Sequence, residues 1–417
     1  MMNRRAFLNQ ALKHLAALSA ALALPESLTE GHAHALRRHY RYSHGEIDWH
    51  AIRRQTLLDE KLVYLNTGTL GACPRHVFEV TQKTWEHLER NPAIVGFREL
   101  IHTADEARKQ AARFIGADED EVAFTQNTTE GMNWIAQAVG LHQDDEILTT
   151  NHEHPGGVVG WKYVCQQTGA RLVRIDLNDQ SRTPEEIVAL FRDRITPRTR
   201  VISVSHVLFS TGLRMPIELL SQLAREHELF LAVDGAQAPG MLRVDVHALG
   251  CDSYASSSHK WLMAPKGSGI LYLRKAMQKR VVPVALAAGF GAYTANTGTR
   301  HFPGLVGHGA AIDWQQILGP ERIETRVLAL SRYAYERLAA FQSLRMLRPR
   351  DVRLDSGMLA FALTDRRNRD FVAAMQKQGI VLKVVPMLNA VRVSTHIYND
   401  ERDIDRLIAA MQAEGIR

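Results

Sequence analysis

At 417 residues the chain can bury a large core and has room for two or three domains, and a composition of 45% hydrophobic and 23% charged residues is ordinary for a soluble globular protein. A net charge of +6, with arginines and lysines scattered rather than gathered, argues against a nucleic-acid partner. Three cysteines, Cys73, Cys165 and Cys251, are too few for a disulfide framework, so buried free thiols are expected.

The first thirty-five residues differ from the rest. Asn3-Arg4-Arg5-Ala6-Phe7-Leu8-Asn9 precedes an Ala/Leu-rich run over 15–24, the pattern of a twin-arginine export signal. The run is too short to span a bilayer, so no permanent membrane anchor is expected. Cleavage candidates fall at Ala21-Leu22-Ala23 and Ala33-His34-Ala35. Export by the twin-arginine translocation machinery carries folded proteins, and the expected address is the periplasm. His32, His34, His39 and His44 lack acidic or cysteine partners at ligand spacing, so this piece reads as a solvated linker and no metal site is expected.

From residue 61 short β-branched segments alternate with amphipathic ones, which predicts an α/β domain with a mainly parallel sheet. Strands are expected over 121–125, 146–150, 171–175, 201–205, 229–233, 252–255 and 269–273, with helices between them, including 184–195 and 216–228. A Gly-rich stretch over 288–309 leads to a helix over 320–342, strands over 358–363, 380–385 and 391–393, and a last helix over 400–413. This tail predicts a smaller C-terminal α+β domain.

One constellation organises the chain. Leu231-Ala232-Val233-Asp234-Gly235-Ala236-Gln237 is followed by Ser257-Ser258-His259-Lys260 and Gly267-Ser268-Gly269. Taken singly, Lys260 reads as a solvated charge and Asp234 as a turn or helix cap. In that order they supply what pyridoxal 5'-phosphate requires: an amine for a Schiff base, a carboxylate for the pyridine nitrogen, and donors from Ser257 and His259 for the phosphate. Thr125-Gln126-Asn127-Thr128-Thr129-Glu130-Gly131 follows a strand and opens a helix, so it reads either as a plain cap or as an anion site. Arg392, in Val391-Arg392-Val393-Ser394, offers the planar fork that suits a substrate carboxylate, where the bland reading is an exposed strand arginine.

These motifs, together with Val244-Asp245-Val246 and Cys251-Asp252-Ser253-Tyr254, resemble the class V aminotransferase family of fold type I pyridoxal phosphate enzymes, from about residue 62 to the C-terminus. The resemblance implies a large cofactor-binding domain over 63–290, a segment over 36–62 packed beside the small domain, and an interdomain segment with that small domain over 291–417. It assigns Thr128 and Thr129 to the phosphate, His154 of Asn151-His152-Glu153-His154-Pro155 to the face of the pyridine ring, and Gln237 to the 3-oxygen. Where cysteine desulfurases carry an asparagine, Phe209 stands here, so that contact is lost or moved to Ser210.

Tyr64-Leu65-Asn66-Thr67-Gly68-Thr69-Leu70-Gly71-Ala72-Cys73-Pro74 and Gly298-Thr299-Arg300 resemble the isopenicillin N epimerase-like branch. That branch implies a homodimer in which Thr299 reaches a neighbour's phosphate, with Arg300 as a second anion contact and Asn66 beside the substrate. A desulfurase needs a nucleophilic cysteine in the C-terminal domain, and none lies beyond residue 251, which argues against that branch. Transamination, epimerisation, elimination and decarboxylation all stay open, on a free small amino acid or on an amino-acid moiety of a peptide. Among exported members the chain is similar to the periplasmic kind that modifies the glutamate side group of pyoverdine siderophores. A non-catalytic binding protein on the same fold is the alternative outside enzymology.

Overall fold

The computed structural model describes residues 47–179 and 181–417, so the twin-arginine pattern, both cleavage candidates and the histidine-rich piece lie outside the described residues. Helix α1 (Trp49–Arg54) and strand β1 (Val63–Tyr64) lead to α2 (Arg75–Arg90) and α3 (Ile101–Phe114). Strand and helix then alternate: β2 (Val122–Thr125), α4 (Thr128–Ala138), β3 (Glu146–Thr150), α5 (Pro155–Thr168), β4 (Arg171–Ile175), α6 (Pro184–Arg192), β5 (Thr199–Ser205), α7 (Ile217–Glu226) and β6 (Phe230–Asp234). After β7 (Ser253–Ser257) and β8 (Gly269–Leu273) come α8 (Phe302–Leu318), α9 (Pro320–Ala339), β9 (Leu344–Met346), β10 (Met358–Leu363) and α10 (Asn368–Lys377). The chain closes with β11 (Ile380–Val381), β12 (Lys383–Val385), β13 (Ala390–Ser394) and α11 (Glu401–Ala413).

Seven strands form one sheet in the order β2-β8-β7-β6-β5-β3-β4, and β8 alone runs against the rest. Helices cover its faces, so its inner strands are buried along their whole length and read as continuous apolar runs. Parallel strands end on one edge, and in such sheets that carboxyl edge is where ligands sit. Thr125, Thr150, Ser205, Asp234 and Ser257 are the last residues of β2, β3, β5, β6 and β7.

The C-terminal sheet is antiparallel, β12-β13-β10-β9, and packs its apolar face on α9 and α11 through Leu330, Leu338, Phe361, Val391, Val393 and Leu407. Val63 and Leu65 join this core, because β1 pairs in parallel with β11. The strand expected over 380–385 is two strands in different sheets, separated at the buried Leu382.

Helix α8 begins inside the Gly-rich stretch of 288–309. Its glycines serve close packing there: a Cβ on Gly307 would lie 2.1 Å from Thr81 Oγ1 of α2, and one on Gly309 would lie 3.0 Å from the Ala107 Cβ of α3. The helical propensity lost at glycine is offset by the contact area its absence of a side chain permits.

Candidate active site

Asp234 ends a strand whose five residues are all buried, so its carboxyl enters the interior at the edge where the parallel strands stop. Oδ1 accepts the Ala236 N–H at 2.9 Å. The first turn of α5 presses so close that a Cβ on Gly157 would lie 2.5 Å from Oδ2, which brings the positive end of that helix onto the carboxylate. Burial raises the Asp234 pKa above the usual range, and the Ala236 N–H and Lys260 oppose that rise. Lys260 follows β7 by three residues. Burial lowers its ammonium to about 8, with Asp234 opposing and Arg392 assisting the shift. Its Nζ has no hydrogen-bond or ion-pair partner among the described residues. Behind it, Gly71 brings the 64–74 loop against the lysine backbone; a Cβ there would lie 1.8 Å from the Lys260 carbonyl oxygen.

An anion cradle forms where α4 starts. Asn127 caps the helix by accepting the Glu130 N–H at 3.0 Å, and of the first-turn amides the Thr129 N–H keeps no partner among the described residues. Thr128 N–H donates to Ser257 Oγ at 2.9 Å, and the two hydroxyls lie 2.8 Å apart. Thr129 Oγ1 lies against Gly156, where a Cβ would approach to 2.2 Å. His259 lies at hydrogen-bond distance, 3.0 Å, between Nδ1 and the Ser268 carbonyl; Nδ1 therefore carries the proton and Nε2 is the free acceptor. Burial and the nearby lysines hold His259 down at about 4.

His154 caps α5 through Nδ1, which accepts the Gly156 N–H at 3.1 Å. That fixes an exposed imidazole beside the cradle. Burial of part of the ring, then Lys260, Arg392 and Lys383, lower it to about 4, so it is neutral at physiological pH. Phe209 packs edge-on against it, with centroids 5.0 Å apart. The contact expected to move to Ser210 does not reach the site: Ser210 is buried, and its hydroxyl lies 2.7 Å from His152 Nδ1.

Arg392 is 2% exposed and has no carboxylate partner among the described residues. Nη1 donates to the Phe209 carbonyl at 2.8 Å, and Nη2 to Asn66 Oδ1 at 3.2 Å and Thr69 Oγ1 at 3.1 Å. Its Nε is buried with no hydrogen-bond partner among the described residues. Burial lowers the guanidinium to about 10, so it stays charged. A buried charge held only by neutral groups, with an N–H to spare, is a site waiting for an anion.

The other expected residues fall in three places. Gln237 lies inside the site wall, with Nε2 donating to the Gly68 carbonyl at 2.9 Å and Oε1 accepting the Trp261 Nε1–H at 2.8 Å; one amide N–H remains for a ligand. Arg300 donates to the Phe124 carbonyl at 2.9 Å, one residue before the end of β2. Thr299 is exposed and does not join Thr128 and Ser257 within its own chain. Sequence reading passed over Thr69, whose spacing from Asn66 marks the turn that holds Arg392, and Glu153, a carboxyl set between two histidines just past a strand end.

The donor set fits pyridoxal phosphate. An unpartnered lysine, a buried carboxylate under a helix N-terminus, a cradle of hydroxyls and amides, and an orphaned guanidinium converge where glycines keep the space open. A fold of this topology with this site defines a fold type I pyridoxal-phosphate-dependent transferase. The Aminotransferase class-V family profile matches residues 63–407, and the chain belongs to that family. It is 32% identical to an isopenicillin N epimerase of Streptomyces clavuligerus over 399 residues, covering 88% of this chain and 98% of the epimerase. It is also 32% identical to a cysteine desulfurase of Salmonella agona over 393 residues, covering 84% of this chain and 92% of that one. Among solved structures, an Escherichia coli cysteine desulfurase superposes with a TM-score of 0.78 at 27% identity, over 89% of this chain and all of that one. A cystine C-S lyase complexed with cysteine persulfide gives 0.78 at 24% identity, over 84% of this chain and 96% of that one, a likeness of fold.

Proposed function

We propose that this enzyme acts at the α-carbon of an amino acid, or of an amino-acid moiety in a peptide, with Lys260 as the amine that binds the cofactor. The observation that carries the reading is a buried Lys260, unpartnered among the described residues, that feels the charges of both the buried Asp234 carboxylate and an Arg392 guanidinium with no carboxylate partner there. Bound pyridoxal phosphate supplies the electron sink for whichever bond at the α-carbon is broken. Asp234 holds the proton of the ring nitrogen. The Thr129 N–H and the hydroxyls of Thr128, Thr129 and Ser257 would orient the phosphate, and His259, whose Nδ1–H is held by Ser268, would join them as a donor only with Nε2 protonated by the bound charge. Neutral His154 covers one ring face without adding charge. Arg392, steadied by Asn66 and Thr69, fixes the substrate carboxylate as a bidentate pair. When not bound to the cofactor, Lys260 Nζ would be the group to move the α-proton, and a pKa of about 8 leaves a useful fraction neutral near pH 7.

Desulfuration at a protein cysteine fits these residues poorly. Cys73, Cys165 and Cys251 are free thiols as expected, though Cys73 and Cys165 are half-buried rather than buried; none lies beyond residue 251, and desolvation raises all three, Cys73 to about 11. The epimerase relative supports chemistry at the α-carbon instead. Export to the periplasm rests on the twin-arginine pattern, and with it the reading that the substrate is a peptide siderophore of the pyoverdine kind, matured at its glutamate side group. A homodimer is supported by Phe78 and Trp85, two exposed aromatics seven residues apart on α2, and by Thr299, which is exposed and makes no hydrogen bond to the cradle of its own chain among the described residues.

The test is the visible spectrum of the purified protein before and after a panel of free amino acids and a peptide siderophore precursor. A cofactor band that shifts with the peptide alone supports the tailoring enzyme, and one that shifts with a free amino acid assigns the small-substrate alternative. A protein that stays colourless with added pyridoxal phosphate refutes the enzyme reading in favour of a binding protein.

A further inference from the structure

Glu153 takes no part in the contacts above, yet its carboxyl turns inward at the strand ends. Oε1 accepts from Thr150 Oγ1 at 2.6 Å and Oε2 from Ser205 Oγ at 2.5 Å. Thr150 Oγ1 already accepts the His152 N–H at 3.1 Å, so its single proton points at Glu153. The Ser205 hydroxyl has no second side-chain hydrogen bond among the described residues, and that bond can run in either direction. Ser205 in turn is the residue whose Cα pairs with Asp234 across β5 and β6. The helix that Glu153 leads into is the one whose Gly157 meets Asp234 Oδ2. Two carboxyl groups therefore share the same corner of the sheet.

Among the described residues Asp234 is the charged group that bears on Glu153. The flanking histidines are engaged elsewhere, His152 with Ser210 and Asn178, His154 with the Gly156 N–H. Burial first, then the charge of Asp234, push Glu153 up to about 7 against the pull of both hydroxyls and of the Ser205 backbone N–H. Two carboxyls so placed do not both ionise at no cost.

We propose that Glu153 is a positioning residue for Asp234: its acid form, held by Thr150 and Ser205, leaves Asp234 as the one ionised carboxylate where the ring nitrogen binds. The role in cofactor binding rests on the reading of this site as a pyridoxal phosphate site; the proton on Glu153 is a property of the chain alone. A carboxyl whose folded pKa lies above its unfolded value near 4.5 holds more protons folded than unfolded between those two values. Stability is then full below about 4.5 and is lost as pH rises toward about 7.

Thermal unfolding of the cofactor-free wild type and Glu153→Gln from pH 5 to pH 8, with pyridoxal phosphate affinity by fluorescence quenching at pH 6.5, tests this. Glutamine mimics the acid form, so the variant's unfolding midpoint should rise relative to wild type by about 3 °C across that range. Its affinity should stay within about threefold of wild type, since the acid form is the working one. Parallel unfolding curves, or a larger loss of affinity, overturn the proposal. Ser205→Ala gives a second arm if Glu153→Gln does not fold: losing a donor to the carboxylate should move the wild-type pH break upward, and an unmoved break counts against it. Failure of wild type to bind pyridoxal phosphate would instead refute the cofactor reading, with the unfolding comparison still standing.

Discussion

The proposed cofactor half and the proposed substrate half of this site are built in opposite ways. On the large sheet, Asp234, Ser257, Thr128 and His259 stand at strand ends and helix starts, and each already bonds a neighbour. On the small sheet, Arg392 is buried, borrows neutral partners from residues 326 and 323 positions away, and keeps an N–H unused. Lys260 apart, the first half is pre-paired, while the second holds a charge that has neutral partners and no carboxylate among the described residues. A permanent cofactor suits preorganised donors, and a substrate that comes and goes suits a cation whose partner arrives with it.

Breaking each half should therefore give different symptoms. The largest effect is expected from Lys260→Ala, with turnover falling by roughly 10⁴-fold or more and the visible cofactor band lost while the far-ultraviolet circular dichroism is kept. Retained turnover would remove Lys260 from its role. Asp234→Ala should come next, weakening pyridoxal phosphate binding by about 10²-fold, read from cofactor dissociation, because a buried charged pair is lost. Arg392→Lys should leave cofactor affinity within about twofold but raise KM about 10–100-fold, since lysine cannot make the bidentate pair. Equal losses of cofactor and substrate binding in that variant would dissolve the distinction between the two halves. Asn66→Ala should raise KM by only about fivefold, as it removes one neutral hydrogen bond from Arg392.

A pH profile sharpens the same contrast. The neutral form of Lys260 is the one that reacts, so the rate of cofactor capture by the cofactor-free protein should climb as pH rises to about 8 and level off above it. Arg392 stays charged throughout that range, so substrate KM should show no break of its own there.

The two halves also differ in how much of them can be read from the sequence. Lys260, Asp234, Ser257 and His259 stand in one continuous stretch whose strand boundaries follow from apolar runs, and the seven-stranded sheet is legible for the same reason. Arg392 is legible as a type of residue on a type of strand. Its supports are not, because Asn66 and Thr69 reach it only through the pairing of β1 with β11 and the fold of the 64–74 loop. Ser210 invites an assignment to the cofactor by adjacency, and the structure instead gives it to His152, since a buried hydroxyl takes the partner its packing offers. Helix α8 hides behind glycines that sequence propensity counts against it, and only the closeness of α2 and α3 explains them.

The most direct test of the central claim is borohydride reduction of the protein loaded with pyridoxal phosphate, followed by peptide mapping by mass spectrometry. The account predicts a single phosphopyridoxyl modification, on Lys260. An unmodified Lys260, or label on the nearby Lys266 in its place, would contradict it.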